Sequence, residues 1–132
     1  VNPNLWGPPG WKFIHYTALG YPNNPSLQDK NNYKFFYTNL QNILPCKLCR
    51  VHYTNYIKNK SIDNHLESRE DLFKWTVDIH NSTNHENNKK IYTYEEALKL
   101  YTTGYYERFD NTYAFIIILL LVIILYYLYN KK

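Results

Sequence analysis

"SREDLFKWTVDIHNSTNHENNKK", Ser68 to Lys90, is the stretch from which the fold can be read. Ser68 with Asp71 three residues on is a capping-box arrangement, which marks the first turn of a helix. Leu72, Phe73, Trp75, Thr76 and Ile79 follow at helical spacing and give that helix an apolar face. It closes on His80, Asn81 and Asn84, next to Lys89 and Lys90. Amides and a histidine gathered at the end of an aromatic helix are hard to explain as packing alone. Aromatic faces, amide donors and a lysine pair are what a dinucleotide with an aromatic base and a pyrophosphate requires.

The same periodicity extends in both directions, and no segment reads as a strand ladder. Upstream, a first helix is expected to begin after "GPPG" (Gly7–Gly10), with Trp11, Ile14, His15, Ala18 and Leu19 on a shared side before "GYPNNP" ends it. A second runs from about Ser26 to Leu44 and carries Tyr33, Phe36, Tyr37, Leu40 and Leu44. Pro45 interrupts, and a third helix is expected from Cys46 to about Lys58. Downstream, "TYEE" (Thr93–Glu96) is a second capping box, opening a fifth helix that ends near Gly104. Short polar connections between helices of this length predict antiparallel packing in a small bundle.

The tail differs in kind. Tyr113–Tyr129, "YAFIIILLLVIILYYLY", contains no charge, amide, Gly or Pro. Helical rise makes it roughly 25 Å long, at the short end of a bilayer span. A helix apolar on every side would otherwise need a larger protein around it. The sequence therefore divides into a helical domain at 1–104, a juxtamembrane linker at 105–112 and a transmembrane helix at 113–129. Lys131 and Lys132 can snorkel to headgroups, and orientation stays open: the lysine pair favours an inside C-terminus, whereas so short a tail suggests insertion after synthesis with the domain left in the cytosol.

Composition narrows the classes further. The 132 residues have room for one domain, and a net charge of +4, scattered along the chain, gives no case for nucleic acid. With 15 tyrosines and no methionine, the core must be built from aromatics, Leu and Ile. No apolar run precedes Trp11, so no signal peptide is expected within this sequence. Two cysteines at C-x-x-C spacing do not staple a secreted domain, because so local a bridge constrains little chain.

Those cysteines, Cys46 and Cys49, sit in "LPCKLCRVHY" (Leu44–Tyr53). A cysteine after a proline at a helix start meets unsatisfied N–H groups and the positive end of the helix dipole, both of which favour thiolate. Lys47, Arg50 and His52 add positive charge. This favours redox chemistry over zinc, for which His52, His80 and His85 offer ligand types without a second cysteine pair or finger spacing. Zinc and two structural thiols nevertheless stay open on spacing alone. Two more pairs at i, i+4, Trp11 with His15 and His80 with Asn84, add an aromatic and polar cluster. No G-x-G-x-x-G is present, so a dinucleotide would be held by the bundle and not by a Rossmann turn.

Taken together, W-x-x-x-H followed by a Y-P turn, P-C-x-x-C-R, and W-x-x-x-x-H-N-x-x-N followed by a basic pair resemble the Erv/ALR family of FAD-linked sulfhydryl oxidases. The resemblance covers nearly all of the chain before its tail. It implies an all-α fold, a four-helix bundle plus a short fifth helix, here followed by the single C-terminal transmembrane helix. It implies FAD at the mouth of the bundle, with Pro8, Trp11, His15, His80, Asn81, Asn84 and Lys89 around it, and no metal. Tyr94 stands where members often have a tryptophan over the cofactor, and Gly20 also departs from the family pattern. Cys46 and Cys49 become the catalytic pair, Cys46 facing substrate and Cys49 facing flavin, with electrons passed to oxygen to give hydrogen peroxide. With no second cysteine pair in this sequence, the implied partner is an external dithiol protein, thioredoxin-like or a virion protein, or a shuttle cysteine of another chain. Small members of this kind are typical of large DNA viruses and are commonly homodimers, which places the expected enzyme at a viral or host organellar membrane. The alternative is a tail-anchored zinc or scaffold module without turnover.

Overall fold

The computed structural model describes residues 1–130, and for 104–115 it describes the backbone only. Among the described residues six α-helices follow one another: α1 (Pro3–Leu19), α2 (Leu27–Ile43), α3 (Lys47–Asn59), α4 (Arg69–Glu86), α5 (Tyr94–Thr102) and α6 (Gly104–Asn130), with a 3-10 turn, Ile62–His65, before α4. They belong to two compact units, Val1–Ala97 and Leu98–Lys132.

In the first unit α1 to α4 form an up-and-down bundle, and its register follows from side-chain pairs. Along α1 and α4, Trp11 lies on His80 and His15 on Thr76, so the two helices run antiparallel. The same holds for α1 with α2, where Tyr37 Oη donates to Ile14 O (3.0 Å) and Tyr33, one turn earlier on α2, packs against Tyr21 just past the end of α1. It holds for α2 with α3 through Arg50 to Leu44 O and Tyr53 Oη to Tyr37 O, and for α3 with α4 through His52–Glu86 and Trp75 Nε1 to Lys60 O.

The core is built largely of aromatics, with Tyr21, Tyr37, Tyr53, Phe73 and Trp75 buried beside Leu72, Val77 and Ile79. Burying a tyrosine leaves a hydroxyl to satisfy, and here backbone carbonyls accept: Leu66 O from Tyr21, Ile14 O from Tyr37 and Tyr37 O from Tyr53. Burial drives the Tyr37 and Tyr53 hydroxyls well above their ordinary pKa, which keeps both as hydrogen-bond donors near neutral pH.

Capping decides most boundaries as expected. Ser68 Oγ accepts from Asp71 N (3.1 Å) at α4, and Thr93 and Glu96 form the full reciprocal box at α5. Ser26 and Asp29 do the same at α2, which the sequence reading did not single out. One boundary needs correcting: α1 begins at Pro3 and runs through Pro8 and Pro9, instead of starting after them. Asn2 Oδ1 accepts from Asn4 N and Pro3 occupies the first helical position, so an independent start lies upstream of the prolines. Trp6 then covers Gly10, where a Cβ would meet the indole at 3.1 Å.

In the second unit the backbone of 104–130 is one helix, so residues 105–112, expected as a linker, are helical. The side chains from Ile116 to Tyr129 are all exposed. Among the described residues no helix is long and apolar enough to cross a membrane. The expected span begins at 113–115, whose side chains lie outside the described residues.

Candidate active site

The antiparallel register brings the N-terminal turns of α1 and α3 to the same end of the bundle as the C-terminal half of α4. That end holds Trp11, Cys46, Cys49, His52, His80 and Asn84.

Cys46 and Cys49 form a disulfide across a Cα–Cα distance of 5.1 Å. Pro45 ends α2, and Cys46 takes the N-cap of α3 with extended backbone, its Sγ accepting from Cys49 N at 3.2 Å. A sulfur therefore stands where a Ser or Asp oxygen usually caps, in the field of the helix's first N–H groups. Two of the positive groups expected around the thiolate have other partners: Arg50 donates to Leu44 O, fastening the Pro45 turn, and His52 Nδ1 lies 3.0 Å from the Glu86 carboxylate. Both sulfurs are half-buried, whereas Leu48 and Val51 beside them are exposed.

On the α1 and α4 side, the Trp11 and His80 rings stack in parallel with centroids 4.1 Å apart. His80 Nδ1 lies 2.9 Å from His15 Nε2, and His15 Nδ1 lies 2.9 Å from Thr76 Oγ1. Burial, and secondarily the neighbouring His80, lowers the His15 pKa to about 3. Burial, and secondarily the positive charge of Lys89, lowers that of His80 to about 4. Both rings are neutral near pH 7, as an N–H···N bond between them requires.

The two amides of "HN-S-T-N" have different environments. Asn84 is 5% exposed and its carboxamide makes no hydrogen bond with a described residue. Asn81 instead clamps a loop: its Nδ2 donates to Tyr92 O (2.8 Å) and its Oδ1 accepts from Tyr92 N (3.1 Å). That loop returns along α4 because the helix ends in a Schellman motif. Lys89 N donates to Asn84 O, Asn88 N donates to His85 O, and Asn88 adopts φ 52°. Tyr94 does not join the cluster. Its hydroxyl donates to Asp78 (3.0 Å) and Lys74 lies over its ring; at 100° per residue, Asp78 points about 200° away from His80. Pro8 is exposed one turn before Trp11, and Lys89 is exposed.

These residues fit a dinucleotide on grounds of their own chemistry. The Asn84 carboxamide offers donors and an acceptor that no described residue engages, and a ligand could use them. The Trp6 indole N–H, buried on α1 in contact with Gly10, has no acceptor among the described residues. Trp11 adds an aromatic face and Lys89 a cation. Among the described residues no group of three His, Cys, Asp or Glu converges as metal ligands would. Thr76 is the residue that the sequence reading missed; its i, i+4 spacing before His80 was the available signal.

The helical bundle, the disulfide at a helix start and the W-x-x-x-H and H-N-x-x-N elements facing each other across α1 and α4 define one family. The chain belongs to the Erv1 / Alr family, whose model matches residues 9–102. It is 44% identical over 100 residues to a probable FAD-linked sulfhydryl oxidase of Acanthamoeba polyphaga mimivirus, covering 75% of this chain and 70% of that protein. To an FAD-linked sulfhydryl oxidase of African swine fever virus it is 31% identical over 96 residues, 73% of this chain and 79% of the relative. The crystal structure of the yeast Erv1 core superposes with a TM-score of 0.73 at 28% identity, covering 79% of this chain and 86% of that one.

Proposed function

We propose that this chain is an FAD-linked sulfhydryl oxidase that introduces disulfides into protein dithiols. The observation that carries the reading is the Cys46–Cys49 disulfide at the start of α3, at the bundle end that also holds Trp11, His80 and the unpartnered amide of Asn84. Relatives named for this activity and this cofactor support it.

A substrate thiolate attacks Cys46 Sγ, forming a mixed disulfide as the Cys46–Cys49 bond breaks and Cys49 leaves as a thiolate. A second substrate thiolate attacks the substrate sulfur of the mixed disulfide, so the substrate becomes a disulfide and Cys46 departs with the electron pair. The N–H groups of α3's first turn, Cys49 N among them, stabilise the negative sulfur at each stage. Bound FAD would supply the two-electron acceptor that restores the pair and passes the electrons to oxygen, giving hydrogen peroxide. Trp11, His80 and Asn84 would hold it, with Lys89 near its phosphates, while Asn81 keeps the 89–93 loop in place.

The test is an absorption spectrum of the purified chain followed by oxygen uptake with a dithiol. A flavin band, with turnover lost in Cys46→Ser and Cys49→Ser while FAD stays bound, is the expected result. A colourless protein that cannot be reconstituted with FAD overturns the reading.

The remaining parts of the proposal have their own support. This sequence carries one cysteine pair, and electrons reach it from an external dithiol protein or from a shuttle cysteine of another chain. Exposed Phe13 and Tyr16 on α1 and Leu27 and Phe35 on α2 support a homodimer through those helices; sedimentation showing only monomer at micromolar concentration would exclude it. The apolar run 113–129 and its exposed described side chains support a membrane anchor in this segment, and a cytosolic oxidase domain is the topology proposed with it. Flotation with liposomes by the full chain, lost on deleting 113–130, tests the anchor.

A further inference from the structure

We propose that Thr76 is a positioning residue that fixes the tautomers of His15 and His80, so that His80 Nε2 is an obligate hydrogen-bond acceptor at the ligand end of the bundle. This deepens the reading of the site as a flavin site and rests on it only for the ligand.

The direction of the relay follows from a single hydroxyl hydrogen. Thr76 Oγ1 lies 2.7 Å from Phe73 O and 2.9 Å from His15 Nδ1. A carbonyl oxygen can only accept, so the hydroxyl must donate to Phe73 O; otherwise two oxygens would face each other at that distance with no hydrogen between them. His15 Nδ1 must therefore carry a hydrogen and donate to Thr76. Because His15 is neutral, its Nε2 is a bare lone pair, and the His80 nitrogen 2.9 Å away, Nδ1, must be the donor. His80 Nε2 is then left without a hydrogen, and it makes no hydrogen bond among the described residues. Both rings are held as the Nδ1–H form, the minor tautomer of free histidine.

The consequence is selectivity by polarity. The site offers a lone pair to a ligand N–H or O–H, such as the exocyclic amine of an adenine, and opposes a ligand carbonyl at the same place. Thr76 is two side chains removed from the ligand, yet its hydroxyl sets that sign. Stacking on Trp11 limits reorientation of the His80 ring, so the relay is fixed at both ends.

The experiment is a histidine-selective long-range 1H–15N correlation spectrum of the full chain, with and without FAD, together with FAD titrations. The expected result is that His15 and His80 both show a protonated Nδ1 and an unprotonated Nε2, even before flavin is added. Thr76→Val should convert both rings to the Nε2–H form and weaken FAD binding about 10- to 100-fold, the effect of opposing a ligand donor with a donor. Thr76→Ser should restore both readouts. An Nε2–H tautomer for His80 in the wild-type chain overturns the proposal, and so do unchanged tautomers in Thr76→Val. If Thr76→Val does not fold, the wild-type and Thr76→Ser spectra decide the matter. Failure of FAD to bind the wild-type chain would sink the flavin reading and leave the tautomer result standing by itself.

Discussion

Lowering the pH from 7.5 to 5.0 should destabilise the flavin-free protein through the His15–His80 pair. Both rings have folded pKa values below the ordinary 6.5, about 3 and about 4, because burial opposes the charged form. The unfolded chain therefore binds more protons than the folded one between about pH 6.5 and pH 3–4, and stability falls as pH falls through that window. It is fully present above 6.5 and stops falling once the folded rings titrate. At pH 5.0 the unfolded ring lies 1.5 units below its pKa, which is about 2 kcal/mol for a fully buried ring. His15, at 1% exposure, takes that value, whereas His80 is partly exposed and is discounted to about 1 kcal/mol. The sum, about 3 kcal/mol, corresponds to a thermal midpoint lower by roughly 12–24 °C for a domain of this size. Asp29, Asp63 and Glu96, whose carboxyls are held low by hydrogen bonds or by a lysine, lose their contributions only at more acid pH. Circular dichroism melts at the two pH values test the prediction. A midpoint shift below about 3 °C, or an equal shift in His80→Gln, would refute the reasoning.

Three further outcomes are expected. Asn84→Leu should leave the flavin-free domain within about 1 kcal/mol of the wild type, because the amide it removes engages no described residue, while FAD affinity drops about tenfold; melts and titrations compare the two. Ser68→Ala should cost about 1 kcal/mol by removing the cap of α4, read as a midpoint lower by several degrees. Cys46→Ser should stop turnover without moving the melting midpoint by more than a degree or two, since the bridge it removes closes a very short loop.

What could be read from the sequence was local. Helices α4 and α5 announce themselves through Ser68 and Thr93, whose hydroxyls act within three residues, and the apolar faces follow from a period of 3.6. The start of α1 is hidden locally because prolines such as Pro8 and Pro9 usually mark a first turn, whereas Asn2 and Pro3 already supply one. Asn81 and Asn84 are indistinguishable as letters; only the helix's rotation sends one to the Tyr92 loop and the other into the interior. Tyr94 was assigned by position in a pattern, and its partners on α4, Lys74 and Asp78, became visible only with the fold. The Thr76–His15 bond spans 61 positions and depends on bundle register, which no local pattern encodes.

Because the Cys46–Cys49 bridge joins residues three apart at the end of one helix, opening it releases almost no chain. The tyrosine-capped core and the antiparallel register among α1 to α4 hold without it. On the function proposed, a bond broken and remade in each cycle would leave the shape of the protein indifferent to its state. Reducing conditions would switch the chemistry without dismantling the machine.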